Sequence, residues 1–167
     1  MKEAIAEFFL ETVGRELCVL FCSMLPIIEL RGAIPMGALF GLPWWQTYLI
    51  AIVGNMLPVP IILLFVKSVL NWMARCRVKL FNKIATKMFE KAEKNREKIE
   101  KYAFWGLTLF VAIPLPATGA WTGTLVAALF NMKFWKSLLA AFLGVLIAGV
   151  VMTLISYGAV AAFVALF

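Results

Sequence analysis

Two long apolar runs dominate the hydrophobic pattern of the chain, one at Trp44–Val66 and the other from Phe134 onward. Each is preceded by two shorter apolar stretches on either side of a segment rich in proline and glycine. A membrane-spanning helix needs about 20 apolar residues, so each long run predicts a spanning helix. The shorter stretches predict the two limbs of a re-entrant hairpin, which enters and leaves the membrane on one side.

The two breaks between the limbs are predicted at Pro26–Pro35 and Pro114–Gly123. Non-helical backbone is tolerated at membrane depth only where it is buried in protein or faces a water-filled cavity, so the breaks mark the candidate binding region. The predicted limbs are Leu17–Leu25 and Met36–Leu42, then Phe104–Ile113 and Thr124–Met132. The predicted break residues are Pro26, Gly32, Pro35, Pro114, Pro116, Gly119 and Gly123.

The two halves of the chain repeat one plan. At an offset of 90 residues, ten of the 42 aligned positions from Leu25 to Val66 are identical, and similarity at a fixed offset indicates an internal repeat. The first long helix ends at a basic segment, and the second copy begins there, so the copies are predicted to have opposite orientations. Inverted repeats with broken helices are the plan of many transporters.

Composition places this chain in lipid. Apolar residues make up 63% of its 167 residues and charged residues 15%, and the mean hydropathy is +0.94. Soluble domains have about 45–50% apolar residues and about 25% charged residues. The predicted fold class is therefore an all-α integral membrane protein with an inverted repeat. Each half is a re-entrant helical hairpin plus a spanning helix, and a basic cytoplasmic helical linker joins the halves.

Basic residues are concentrated in the middle of the chain. Between Lys67 and Lys101 there are eleven basic residues and four Glu, a surplus of seven that equals the net charge of the chain. The positive-inside rule makes this linker cytoplasmic and the chain integral to the plasma (inner) membrane. Lys133 and Lys136 also fall on the predicted inner side, whereas Pro43 and Gln46, their counterparts, fall on the outer side. A nucleic-acid partner is not expected.

One membrane domain, residues 1–167, accounts for the length. It is divided into repeat 1 at about 17–66, the linker at about 67–102, repeat 2 at about 103–156 and a C-terminal extension at 157–167. Residues 1–16 either form an interfacial amphipathic helix or join Glu16–Met24 to cross. The run Ser137–Phe167 would be about 46 Å long as one helix, so it either tilts strongly or breaks near Tyr157 and Gly158.

Glu29 and Arg31 are the candidate site residues of the first hairpin, because they are the only charged residues from Cys18 to Val66. An ionisable group at membrane depth costs at least a few kcal/mol and indicates function. Glu29 can exchange a proton, since burial favours the neutral carboxyl group, and Arg31 can grip a phosphate or carboxylate. The alternative is that they pair with each other or with the opposite hairpin to hold the fold.

Three polar residues complete the candidate substrate or ion site. Asn55 precedes two prolines that kink the first long helix, and it either satisfies freed backbone groups or faces the cavity. Thr118 and Thr122 lie in the second break and either bind an anion or headgroup or cap the limbs. The three cysteines, Cys18, Cys22 and Cys76, are read as packed thiols. No metal site, cofactor or catalytic residue is expected, and the sequence favours a protein that is not an enzyme.

The strings Pro26-Ile-Ile-Glu-Leu-Arg-Gly-Ala-Ile-Pro35 and Ile113-Pro-Leu-Pro-Ala-Thr-Gly-Ala-Trp-Thr-Gly123 resemble the putative small multidrug export protein family. More distantly, the halves are similar to DedA membrane proteins. This resemblance implies two opposed re-entrant hairpins and ion-driven movement of polyprenyl-phosphate or other lipids. DedA proteins carry arginines in the second hairpin. This chain has none between Lys101 and Lys133, which leaves Arg31 as the candidate for that role.

The expected function is a small membrane transporter, in one version an ion-coupled lipid or small-molecule translocase with a midplane site between the two hairpins. The expected partners are membrane lipid and a lipid-phosphate or amphipathic substrate, and a homo-oligomer is compatible with the sequence. Two alternatives are a multidrug exporter and a non-transporting membrane scaffold that uses the basic linker for docking.

Overall fold

The computed structural model describes residues 14–75, 96–114 and 118–166, and every regular element in these ranges is a helix. The all-α prediction is confirmed for this part of the chain. Pro116 and the middle of the predicted linker, residues 76–95, lie outside the described residues, as do residues 1–13.

Four helices form the first half. They are α1 at residues 14–24, α2 at Glu29–Leu39, α3 at Trp44–Met56 and α4 at Pro58–Arg75. Only Leu57 separates α3 from α4, where Pro58 cannot donate the next helical hydrogen bond. The interruption between the two helices therefore coincides with the first proline, and the predicted kink stays a prediction.

Three helices form the second half, namely α5 at Arg96–Ala112, α6 at Ala120–Leu129 and α7 at Phe134–Leu166. The described helix α7 has 33 residues and continues through Tyr157 and Gly158. The break considered there is therefore wrong. A helix of this length measures about 50 Å, and the strong tilt considered from the sequence stays a prediction.

Both hairpin breaks are shorter than predicted. Non-helical backbone covers only residues 25–28 in the first hairpin, because α2 includes Gly32 and Pro35. In the second hairpin α6 already includes Thr122 and Gly123, so the break ends at Gly119. The physical reason is that a helix satisfies its own backbone groups, and apolar surroundings favour helix even at the cost of an internal proline or glycine.

The chain folds into two compact units. Unit 1 contains the described residues up to Leu57 and those from Val145 onward, and unit 2 contains those from Pro58 to Gly144. Each unit therefore has the hairpin and the first part of the long helix from one repeat, and the last part of the long helix from the other.

Two helices of the described residues are long and apolar enough to cross a membrane, Trp44–Val66 with 23 residues and Phe134–Ala162 with 29. Many of the large apolar side chains on the surface are highly exposed, among them Leu39 at 78%, Trp135 at 71% and Leu154 at 70%. Apolar surface of this extent is typical of contact with lipid or other protein.

The same turn connects the second limb to the long helix in both halves. Gly41 and Asn131, which are 90 residues apart, have left-handed φ angles of 73° and 53°. In the first turn the N–H groups of Gly41 and Leu42 donate to the carbonyls of Ala38 and Gly37, at 3.1 and 3.0 Å. The second turn has the equivalent bonds, both 3.0 Å, so both limbs end in a Schellman motif.

Candidate functional site

At the open end of the first hairpin, polar contacts hold three helices together. The Arg15 guanidinium donates to the carbonyl of Phe40, 3.2 Å away, and the amide of Gln46 donates to the carboxylate of Glu16. The start of α1, the end of α2 and the start of α3 therefore lie at one level. In unit 1 the chain thus enters and leaves the hairpin at the level where the long helix begins.

The tip of the first hairpin lies beside the middle of the long apolar helix. A Cβ added to Gly54 would lie 1.9 Å from the Ser23 Oγ and 2.6 Å from the Leu20 carbonyl oxygen, so α1 and α3 are in backbone contact there. Gly54 is the eleventh of the 23 residues in Trp44–Val66. Because Ser23 lies just before the break, the break is near the midpoint of that helix.

Glu29 is a buried acid in a rare backbone conformation. It begins α2, its side chain is 6% exposed and its φ is 50°. Its N–H donates to the carbonyl of Leu25, 2.9 Å away, which closes the turn between the limbs. A left-handed non-glycine residue costs about 1–3 kcal/mol, and such strain clusters at functional sites.

Arg31 lies two residues further along α2 and is half-buried. It interacts electrostatically with Glu29, so the structure brings these two predicted residues together. Both also take part in polar or electrostatic contacts of the fold. The two residues attract each other electrostatically near the hairpin tip, and their direct pairing stays a prediction.

Asn55 follows Gly54 on α3 and is 1% exposed. Neither its amide nitrogen nor its carbonyl oxygen has a hydrogen-bond partner among the described residues. A buried polar group without a partner costs about 1–3 kcal/mol. Among the described residues, Asn55 therefore satisfies no freed backbone group, and its predicted position facing a cavity stays a prediction.

In the second hairpin, capping explains the predicted threonine better than binding does. The hydroxyl of Thr118 donates to the carbonyl of Ile113, 2.9 Å away, and so joins the two sides of the break. Gly119 is the N-cap of α6, and Thr122 is a half-buried residue of its first turn. Gly123 packs against the Val111 side chain, 2.6 Å from an added Cβ. Pro114 lies in the break.

The sequence did not single out a hydroxyl cluster that ties α7 to the first turn. The hydroxyl of Tyr157 lies 2.8 Å from the carbonyl oxygen of Leu42 and 2.7 Å from the Oγ1 of Thr47. Because a carbonyl only accepts, Tyr157 donates to Leu42 and receives its second bond from Thr47. The sequence gives one indication of this cluster, because equivalent positions of the two repeats, Thr47 and Ser137, both have a hydroxyl residue. Both side chains are fully buried.

The described part of unit 1 contains six buried polar side chains, namely Ser23, Glu29, Thr47, Asn55, Thr153 and Ser156. At the 90-residue offset, the counterparts of Glu29, Asn55, Thr153 and Ser156 are Gly119, Val145, Leu63 and Val66. Among the described residues no group of three or more metal-ligating side chains occurs.

The comparison with protein families matches residues 29–151 to the family described as "putative small multi-drug export protein". The comparisons with curated proteins and with solved structures gave no match, so the more distant similarity to DedA proteins stays a prediction. The family match begins at Glu29 and extends into α7, and it covers most of the chain. This chain therefore belongs to the putative small multi-drug export protein family.

Proposed function

We propose that this membrane protein is a small transporter whose polar site lies in unit 1, around Glu29, Arg31 and Asn55. The observation that carries the proposal is the buried, strained Glu29 at the break of an otherwise apolar hairpin. An acid held at membrane depth at this energetic cost is expected to act on a substrate or a proton. The family description, which names export, supports the same class of function.

A re-entrant first hairpin is supported by the levels of its contacts. The 11 residues of α2 extend about 16 Å, roughly half of the 30 Å apolar core of a bilayer. The contacts of Arg15 and Glu16 lie at the start of the long helix, and the contact of Ser23 lies at its midpoint. A hairpin that opens at one surface and turns near the midplane accounts for both.

Opposite orientations of the two repeats are supported by the contacts between α3 and the end of α7 in unit 1. Thr47 contacts Tyr157, whereas Gly149, eight residues earlier in α7, lies near Tyr48 and Ile52, which follow Thr47 in α3. The two helices therefore run in opposite directions where they pack. Since α3 and α7 begin at equivalent positions of the repeats, this supports the inverted arrangement. The basic composition of the linker supports a place on the cytoplasmic side of the inner membrane.

The substrate class that fits is an amphipathic molecule with one charged or polar group. Arg31 offers a cation for a phosphate or carboxylate, Glu29 offers an anion for an organic cation, and Asn55 offers both a donor and an acceptor. The remaining surroundings are apolar. A lipid or a drug-like small molecule meets this description, and release of a proton from Glu29 would couple its movement to a gradient.

Transport in reconstituted vesicles tests the proposal. We expect wild-type protein to move a fluorescent lipid or an organic cation at a rate that depends on the pH gradient. Glu29→Gln keeps the size of the side chain and removes its proton exchange, so the pH dependence should disappear. Glu16→Gln is the matched control, because Glu16 lies at the open end of the hairpin, bonded to Gln46.

The control should keep the wild-type dependence on pH. Equal pH dependence in wild type and Glu29→Gln would refute the proton role of Glu29. If neither lipid nor organic cation moves faster than in protein-free vesicles, across a broad panel of both, the transporter proposal itself is wrong.

A further inference from the structure

The second hairpin contains a cavity of about 360 Å³ between α5 and α6, within unit 2. Small-molecule sites have volumes of about 300–1,000 Å³. An added Cβ at Gly106 would have no atom within 4 Å, so this glycine opens the cavity. The residues that line it are apolar or aromatic and include Tyr102, Gly106, Leu107, Phe110, Phe130 and Met132.

The mouth of this cavity is next to two lysines. Phe130 and Met132 belong to the turn between α6 and α7, and Lys133 follows directly. Lys133 and Lys136 are both exposed. A largely apolar cavity thus lies beside two exposed positive charges.

The first hairpin differs at the equivalent level. There the Glu16 carboxylate binds Gln46, the counterpart of Lys136. In unit 2 the Thr108 hydroxyl donates to the carbonyl of Ala140, 3.2 Å away. Phe104 in α5 and Lys136 in α7 lie one helical turn before Thr108 and Ala140, so they are opposite each other. The first hairpin has a carboxylate beside this position, and the second has an exposed cation at the position itself.

We propose that this cavity holds one acyl chain of an anionic phospholipid whose phosphate binds Lys133 and Lys136. Trp105 and Trp135 are exposed at the same end of the hairpin, at 64% and 71%, and tryptophan is enriched where headgroups begin. The phosphate would bind the two exposed cations, and the acyl chain would bury its methylene groups against the apolar lining. The proposal depends on a membrane location and not on transport.

Native mass spectrometry of the full chain with added phosphatidylglycerol or phosphatidylcholine tests this site. We expect one phosphatidylglycerol to be retained about 30-fold more strongly than phosphatidylcholine, from two lysines near one phosphate. The double variant Lys133→Gln, Lys136→Gln should lose this preference and still retain phosphatidylcholine. Both lysines are exposed, so the fold should tolerate their loss.

Filling the cavity is the second arm. Gly106→Leu should reduce retention of both lipids at least tenfold, whereas Gly158→Leu, also at a helical glycine with open space around it, should not. Inorganic phosphate at millimolar concentration should leave the lipid bound. Equal retention of the two lipids by wild type, wild-type retention by Gly106→Leu, or displacement by phosphate alone would each overturn the proposal.

Discussion

Removing one hydroxyl group, that of Tyr157, should measurably loosen unit 1. Tyr157→Phe removes the bonds to the Leu42 carbonyl and the Thr47 hydroxyl and keeps the ring. Hydrogen bonds between helices of membrane proteins contribute about 0.6 kcal/mol on average and up to about 1.7 kcal/mol. Two bonds at 2.7 and 2.8 Å therefore predict a loss of about 1–2 kcal/mol in the free energy of unfolding.

A double-mutant cycle assigns part of this loss to the Tyr157–Thr47 pair. Thr47→Val removes only the hydroxyl at nearly constant volume, and each single variant breaks the shared bond. The double variant should therefore be more stable than the sum of the two losses predicts, by about 0.6 kcal/mol. Unfolding by sodium dodecyl sulfate in mixed micelles, followed by circular dichroism, measures all four free energies.

Tyr48→Phe provides the comparison within the same pair of helices. The Tyr48 hydroxyl lies 3.3 Å from the carbonyl oxygen of Leu146, a longer and weaker bond, so its loss should cost about half as much as one bond of Tyr157. A coupling energy of zero between positions 47 and 157 would refute the contact. It would also remove the main support for opposed directions of α3 and α7.

Two further predictions concern packing at the same helices. Asn55→Val should raise the free energy of unfolding by about 1–2 kcal/mol and lower transport, because it removes a buried carboxamide without a partner among the described residues. A less stable variant would mean that a water or ligand satisfies the amide. Gly144→Ala should cost about 1–3 kcal/mol, since its Cβ would lie 2.8 Å from the Thr108 carbonyl oxygen. Gly158→Ala should be neutral or slightly stabilising, and equal effects at both glycines in the same unfolding assay would contradict the close packing.

The sequence predicted the long helices and the short helices before them well, because both follow from the lengths of apolar runs. It overestimated the breaks because proline and glycine were taken as ends of helices. Gly32 and Pro35 instead lie within α2, since in an apolar region the backbone has no water to replace lost helical bonds. The same reason explains why α7 continues through Gly158.

The candidate site could be predicted only in part. Glu29 stood out as a lone acid in an apolar stretch, and burial of its side chain agrees with that choice. Its left-handed backbone could not be predicted, because the usual sign of that conformation is a glycine and residue 29 is a glutamate. The contact of Tyr157 with Thr47 joins residues 110 positions apart, and a single sequence contains no information on such pairs.

The repeats share a scaffold but differ in chemistry, and this difference bears on where function resides. Both contain the same turn, at Gly41 and Asn131, and both pack a glycine of the long helix, Gly54 or Gly144, against the first limb. If the polar side chains were needed for folding, the second repeat would require them too. Its counterparts to Glu29 and Asn55 are a glycine and a valine, so the scaffold forms without them. The cost of burying these groups is therefore better explained by selection for what unit 1 binds than by selection for the fold.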